Sequence, residues 1–583
     1  MEIFSLIPIK ILFIFLAGYC WKKLFEVARH QNHEALAKFM LSMSFFSIVL
    51  SVFSSGKIYP YGISTDLFVF AIFLGIFLGF SNPRKRNRPV LYLSLIIPTS
   101  VTFIYISHFF IVGGALNKDT IFALLQSNPR ESLEYAKSFI SLLVILGTLV
   151  FLAFPYVFMR NLHDKNVNPS PLLKLSSVVI LCIFAISVSP VERGLFTFPV
   201  HSYIEFKEDS MELKEREAEY SKIKKEEYSF FKNKSGEIYI VVIGESLNKY
   251  HMSLYGYQSD TTPKLQEMYN QGVLIIARNS YSNYPLTIPA LSQALTDANQ
   301  RNTKNHTNSQ GIIRVLNKAG FSTHWIGNQP LSTSYDMMLG LVAKEAKNIT
   351  LLHDAKFGTA NSNLRHFDEE LLPYINKALD EHRDGENTVI FVHLAGSHTD
   401  YCKRYPEDFE FFKAPISERI WTQIIDGGLG KSLECYNNSV RYNDTVVSTI
   451  LHNLKERLGS SKAGGFIYFS DHGEDVLRGA GHSTSNYSQA MVESPAIFWL
   501  SEQYKVLYDK SFSNLLENKE ELFPNDFIFD SIIGMTNISS DGTTLKKIYC
   551  NECDIFNSKY SLKEEDAWTM HKKKKYTPVN TPR

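Results

Sequence analysis

The stretch GGFIYFSDHGED, residues 464–475, begins as a buried strand and ends as a cluster of chemical groups. Phe466, Ile467, Tyr468 and Phe469 form a continuous apolar run, and Asp471, His472, Glu474 and Asp475 follow at once. A short apolar run of this kind reads as a strand covered on both faces. Three other stretches end in the same way. EIYIVVIGES (237–246) closes on Glu245 and Ser246, STHWIGNQ (322–329) on Asn328, and TVIFVHLAGSH (388–398) on His398. From residue 236 onward strands alternate with helical segments, which predicts an α/β domain with a mostly parallel sheet. Ligands bind outside the carboxyl ends of the strands in such sheets. Glu245, Asn328, His398, Asp471 and His472 are therefore expected along one rim.

Each of these residues alone has a bland reading: a Glu after a strand ordinarily starts a helix, and an Asp-His pair ordinarily makes a turn. Together they supply mixed oxygen and nitrogen donors suited to Zn²⁺, with room for an open position. RNSYSNYPLTIPALSQALTDAN (278–299) places Thr287 where a helix begins. The partial positive charge of a helix amino terminus favours phosphate or alkoxide there. Thr287 reads either as a metal-activated nucleophile or as a helix cap with Pro289 in the first turn.

The amino-terminal third differs. Six apolar runs, roughly residues 4–21, 39–56, 64–80, 90–112, 138–159 and 172–190, each approach the length of a bilayer span. Stretches such as LFVFAIFLGIFLGF (67–80) lack a polar face. The expectation is an α-helical multi-span membrane domain over 1–195, with five or six helices. Basic residues Lys22, Lys23, Arg29, Lys38, Arg84, Lys85, Arg86, Arg88, Arg160, Lys165 and Lys174 lie in alternate loops. By the positive-inside rule this places everything beyond residue 190 across the membrane, in the periplasm of a bacterium. Residues 196–235 are dense in both charge signs and read as a bridging helix or linker. The α/β domain spans 236–560, and 561–583 is a basic tail. A net charge of +1 over 583 residues gives no case for a nucleic-acid partner.

Five motifs in order, VVIGES (241–246), TIPALSQALT (287–296), WIGNQ (325–329), VHLAGSH (392–398) and YFSDHGE (468–474), resemble the membrane-bound phosphoethanolamine transferases of the sulfatase and alkaline-phosphatase superfamily. GESLNKYHMSLYGYQSDTTPKL (244–265), LTDANQRN (295–302), KRYPE (403–407) and YNDTVV (442–447) look closest to the CptA type, which acts on the lipopolysaccharide core. The resemblance implies Glu245, Thr287, Asp471 and His472 as a Zn²⁺ site, with Thr287 also the nucleophile. It implies His398 and His482 as phosphoryl ligands or general acid and base, Asn328 as an orienter of the donor head group, and Ser246 beneath the metal ligands. It supports neither Glu474 nor Asp475 as a ligand. The implied donor is phosphatidylethanolamine in the lipid bilayer and the implied acceptor is lipopolysaccharide. Phosphoglycerol transfer or sulfatase-like phosphodiester hydrolysis on the same site, and a non-catalytic membrane scaffold, are the alternatives.

Two features depart from that family. Members acting on lipid A usually carry disulfide-bonded cysteines around the nucleophile, where this chain has Asn279, Asn283 and Ala290, and the family commonly has five spans rather than six. Cys402, Cys435, Cys550 and Cys553 lie in the part placed outside the membrane, where disulfides are permitted; Cys402 with Cys435 and Cys550 with Cys553 is the expected pairing. HKKKKYTPVNTPR (571–583) reads as a solvated end or as a segment touching anionic head groups or core phosphates. ECYNNSVRYNDTVVSTILHNL (434–454) reads as an amphipathic scaffold helix packed on the sheet.

Overall fold

The structure, a computed structural model, describes residues 88–112, 116–126, 197–220, 230–302, 304–305, 309–329, 337–352, 366–413, 433–477, 481–540 and 548–578, with a few scattered positions between 22 and 74 and one at 149. The chain divides into two compact units, residues 1–124 with 140–208 and residues 125–139 with 209–583.

In the first unit, the apolar run at 90–112 forms a helix, Arg88–Val112. Polar residues interrupt it: Ser94, Ser100, Thr102, Ser107 and His108 sit along its length, Pro98 lies inside it, and the Thr102 hydroxyl donates to the Pro98 carbonyl at 2.8 Å. Among the described residues no helix is long and apolar enough to cross a membrane. The expected multi-span membrane domain, and the multi-pass inner-membrane placement built on it, are corrected on that finding. Reading the run as apolar averaged over the interruptions that its residues carry. The other five runs and most of the basic positions used for orientation fall outside the described residues. Part of the bridging segment forms a helix, Thr197–Tyr220. Its buried Phe206 meets Phe122 edge to face at 5.3 Å, and Lys118 pairs with Glu205.

The second unit holds the sheet. Its strands are β1 (Phe230–Phe231), β2 (Ile238–Gly244), β3 (Ile275–Ile276), β4 (Asn279–Tyr281), β5 (Ser322–Gly327), β6 (Asn348–Leu351), β7 (Thr388–His393), β8 (Gly464–Ser470), β9 (Ala496–Leu500), β10 (Leu522–Pro524), β11 (Ser539–Ser540), β12 (Trp568–Thr569) and β13 (Lys574–Lys575). Seven form the main sheet in the order β3-β9-β8-β2-β7-β5-β6. β8, β2, β7, β5 and β6 run parallel, and β9 and β3 pair antiparallel at one edge. The mostly parallel sheet expected from the sequence is present.

β2 and β8 are buried at every position because both faces are covered. Tyr239, Val241 and Ile243 enter one core, and Ile238, Ile240 and Val242 enter the other. That alternation follows from the period of two in a strand. The long helix Leu433–Leu458 covers the second face with Val440, Val447, Ile450, Leu451 and Leu454. Each such side chain contributes about 1.5–3 kcal/mol on burial. Register then aligns the strand ends: Gly244 lies opposite Ser470, and His393 lies between Ile243 and Gly327. The residues that follow these positions share one edge of the sheet.

Candidate active site

Glu245 and Ser246 leave β2 beside Asp471 and His472, which leave β8. Ser246 adopts a left-handed backbone (φ 55°), which turns the chain sharply at the strand end and directs its N–H to Asp471 Oδ1 at 2.9 Å. The same Asp471 oxygen accepts the His472 N–H at 2.7 Å. The loop after β7 presses on this turn at Gly396, where φ is +52° and a Cβ would stand 2.7 Å from the Glu245 carbonyl oxygen. Only glycine satisfies both demands.

Thr287 opens the helix Thr287–Ala294, and Leu286 occupies the capping position. The Thr287 hydroxyl faces the strand ends instead of capping the helix. Its Oγ1 lies 3.3 Å from each carboxylate oxygen of Glu245 and 3.4 Å from His472 Nε2. His472 Nε2 is in turn 3.3 Å from Asp471 Oδ2 and 3.6 Å from Glu245 Oε1. Its Nδ1–H donates to the Gly473 carbonyl at 2.8 Å, which leaves Nε2 with its lone pair toward the carboxylates. Asp471 Oδ2 is buried without a hydrogen-bond partner.

Buried carboxylates without a nearby cation resist ionisation. Burial and then the Asp471 charge raise Glu245 to about 7, against the opposing influence of His472 and Gln329. Burial raises Asp471 to about 6, and burial with His482 lowers His472 to about 4. Glu245, Asp471 and His472 bring one donor atom each within 4.8 Å of one another. Two carboxylates, an imidazole and a hydroxyl, with one carboxylate oxygen unpaired, fit a Zn²⁺ donor set.

His482 and His398 stand on the next rank. The His482 ring is 4.5 Å from His472 and 5.8 Å from His398 between centroids. His482 Nδ1 pairs with Glu474 Oε2 at 2.7 Å, and Tyr401 donates to the other Glu474 oxygen. Burial works against a charge on His482, yet the Glu474 carboxylate, with Glu245 and Asp471 behind it, raises it to about 9. Burial and the Arg404 guanidinium lower His398, whose Nδ1 lies 3.4 Å from that guanidinium.

Asn328 lies on the rim but turns aside. Its side-chain amide donates to Asp368 Oδ1 at 2.8 Å and to the His366 carbonyl at 3.1 Å. Asp368 also accepts the Ala395 and Gly396 N–H groups, so the pair holds the β7 loop in place. The next residue, Gln329, reaches Glu245 Oε2 at 3.0 Å. Sequence reading passed over Gln329, although its position one residue beyond a strand end was a usable signal. It also passed over Tyr436 on the scaffold helix, which donates to the Ser246 carbonyl and accepts the Asn248 N–H, each at 2.8 Å. No local pattern marks that tyrosine. Glu474 and Asp475 do not join the Glu245, Asp471 and His472 group. Glu474 forms a second group with His472 and His482, and Asp475 accepts from Ser488 at 2.5 Å. Disulfides join Cys402 to Cys435 and Cys550 to Cys553.

The sequence pattern of the sulfatase family matches residues 237–538, just over half of the 583 residues. The chain belongs to the sulfatase family. Within it, the chain is 26% identical over 546 residues to phosphoethanolamine transferase EptC of Escherichia coli O18:K1:H7, covering 88% of this chain and 91% of EptC. It is 25% identical over 470 residues to phosphoethanolamine transferase CptA of Salmonella typhimurium, covering 75% of this chain and 78% of CptA. The CptA type is therefore not singled out over EptC. Among solved structures, the zinc complex of the C-terminal periplasmic domain of Escherichia coli EptC covers 60% of this sulfatase-family chain and is itself 95% covered. It superposes with a TM-score of 0.50 at 24% identity. The integral membrane lipooligosaccharide phosphoethanolamine transferase EptA of Neisseria meningitidis aligns over 88% of this chain and 95% of its own, with a TM-score of 0.58 at 17% identity. Both likenesses are of fold.

Proposed function

We propose that this chain transfers phosphoethanolamine from phosphatidylethanolamine to lipopolysaccharide or lipooligosaccharide through a covalent Thr287 intermediate. The observation that carries this reading is the placement of the Thr287 hydroxyl between Glu245 and His472 at the edge of the sheet. The phosphoethanolamine transferases EptC and CptA, to which the chain is similar over most of its length, support the choice of transferred group.

Glu245, Thr287, Asp471 and His472 would hold Zn²⁺, which when bound lowers the pKa of a coordinated hydroxyl and makes it a nucleophile near neutral pH. Thr287 Oγ1 gives up its proton to the Glu245 carboxylate, 3.3 Å away, and forms a bond to the donor phosphorus. The bond from phosphorus to the diacylglycerol oxygen breaks, and that oxygen takes a proton from a nearby imidazole, His482 or His398. In the second step an acceptor hydroxyl or phosphate oxygen bonds to phosphorus, the imidazole takes any proton released, and Thr287 leaves with its hydroxyl restored by the proton held on Glu245. The two half-reactions are of the ping-pong kind.

Intact-protein mass spectrometry after incubation with phosphatidylethanolamine tests this directly. The expected product carries ethanolamine phosphate on Thr287. A phosphoglycerol adduct formed instead from phosphatidylglycerol assigns a different donor, and no adduct from either lipid removes the covalent mechanism.

Glu474 enters this chemistry through His482. Glu474→Gln keeps the size of the side chain and removes the charge that favours a protonated His482. The expected result is a fall in kcat of about a hundredfold with little change in KM. A variant with unchanged kcat shows that His482 does not handle the proton.

A further inference from the structure

The basic tail is folded against the segment that carries Thr287. β12 and β13 pair antiparallel, with Trp568 opposite Lys575 and Thr569 opposite Lys574. The turn between them has three successive non-glycine residues in the left-handed region: Met570 (φ 54°), His571 (φ 53°) and Lys572 (φ 64°). Residues with a side chain are strained in this region, so contacts elsewhere must hold the turn.

Those contacts are specific. Tyr576 is buried and stacks on Tyr281 with ring centroids 3.9 Å apart, and its hydroxyl donates to Glu493 Oε2 at 2.9 Å. Glu493 is itself locked to the fully buried Lys249 at 3.1 Å. The Met570 N–H donates to the Asn283 carbonyl at 2.8 Å, Gln293 meets His571 Nδ1 at 2.9 Å, and the His571 ring lies 5.1 Å from Tyr284. Asn283, Tyr284 and Gln293 flank Thr287 in the chain. The turn thus anchors a run of four lysines beside the candidate nucleophile. Lys572 to Lys575 are all exposed. Lys574 and Lys575 lie near the Tyr487 and Trp568 rings, 6.0 and 5.3 Å from their centroids, and Lys572 and Lys573 form the tip.

We propose that this hairpin docks the acceptor: its lysines bind the phosphate groups of a phosphorylated glycolipid and bring the accepting group to Thr287. The inference rests on the transferase reading above. A zwitterionic donor presents a single phosphate, which is the reacting group itself, so four adjacent cations exceed what the donor can neutralise. A polyphosphorylated saccharide matches them, because closely spaced phosphates attract every basic residue of the run. The attraction also raises the encounter rate at low salt.

The test uses the full chain carrying Thr287→Ala, so that binding is measured without turnover, with and without Lys572→Gly and Lys573→Ala. Glycine suits the left-handed backbone at 572, and 573 is exposed, so the pair keeps the fold. The probes are purified lipopolysaccharide, the same material after dephosphorylation, and vesicles of phosphatidylglycerol. The double variant is expected to lose at least about tenfold in affinity for the phosphorylated form, with a weaker salt dependence, and to bind the dephosphorylated form as the parent does. Unchanged affinity overturns the proposal. So does an equal loss on phosphatidylglycerol vesicles, which would make the hairpin a general bilayer contact. Restored to Thr287, the double variant is expected to lose far less in adduct formation than in acceptor affinity, and an equal loss in both would mark a structural role. A parent chain that forms no adduct overturns the transferase reading alone, because the binding comparison requires no transfer.

Discussion

Thr287→Ala is expected to lower transfer by at least about a thousandfold and to eliminate the protein adduct, while the protein stays folded. The fold should tolerate the change because Thr287 does not cap its helix and alanine is a good helix former. What disappears is the hydroxyl placed 3.3 Å from both oxygens of Glu245. Thr287→Ser restores a hydroxyl at the same position and should recover a measurable part of the rate. Rates of lipid transfer and intact mass, measured on all three proteins, decide the matter. Transfer by Thr287→Ala at the parental rate would mean that no covalent threonine intermediate lies on the path.

The second large effect concerns Asp471. Its Oδ1 accepts two backbone N–H groups, but Oδ2 is buried and unpaired. Asp471→Asn can keep the first pair and removes a carboxylate whose burial already disfavours its charge. In the presence of a chelator the variant should therefore melt at the parental temperature or higher. Added zinc at roughly a hundredfold above its Kd should stabilise the parent by about 3 kcal/mol, a rise of several degrees in Tm. The variant should show little of that rise and little activity. A residue with a purely structural role would give the opposite pattern: a lower Tm in chelator and an undiminished response to zinc.

The sheet was legible because its strands are short apolar runs that end in polar residues, and the rim followed from those endings. Glu245, Thr287, Asp471 and His472, named from three motifs and one resemblance, lie together as neighbours. Asn328 was named for the same reason and lies on the rim, yet its amide turns to Asp368 and holds a loop. Strand position predicts where a residue emerges, and the packing of the next loop decides where it points. Glu474 shows the reverse. It ranked as an extra acidic residue beside the site, and the structure places it between Tyr401 and His482. The six apolar runs were read by length and average apolarity. The one described along its length contains Pro98 and several polar side chains, and it does not meet the requirement for crossing a membrane.

Sequence alone determined the periodic features: strands covered on both faces, an amphipathic helix across one of them, and acid, imidazole and hydroxyl groups at strand ends. These are local properties, set by side-chain period and by what each residue type can bond. Tertiary structure decided everything that depends on groups distant in the chain. It set the register that aligns Gly244 with Ser470, and the pressure of Gly396 on Glu245. It set Tyr401 against Glu474 and anchored the basic hairpin at Asn283 and Tyr281. A hydrogen bond or a van der Waals contact acts over a few ångströms of space, and only the packed chain brings residues hundreds of positions apart within that range.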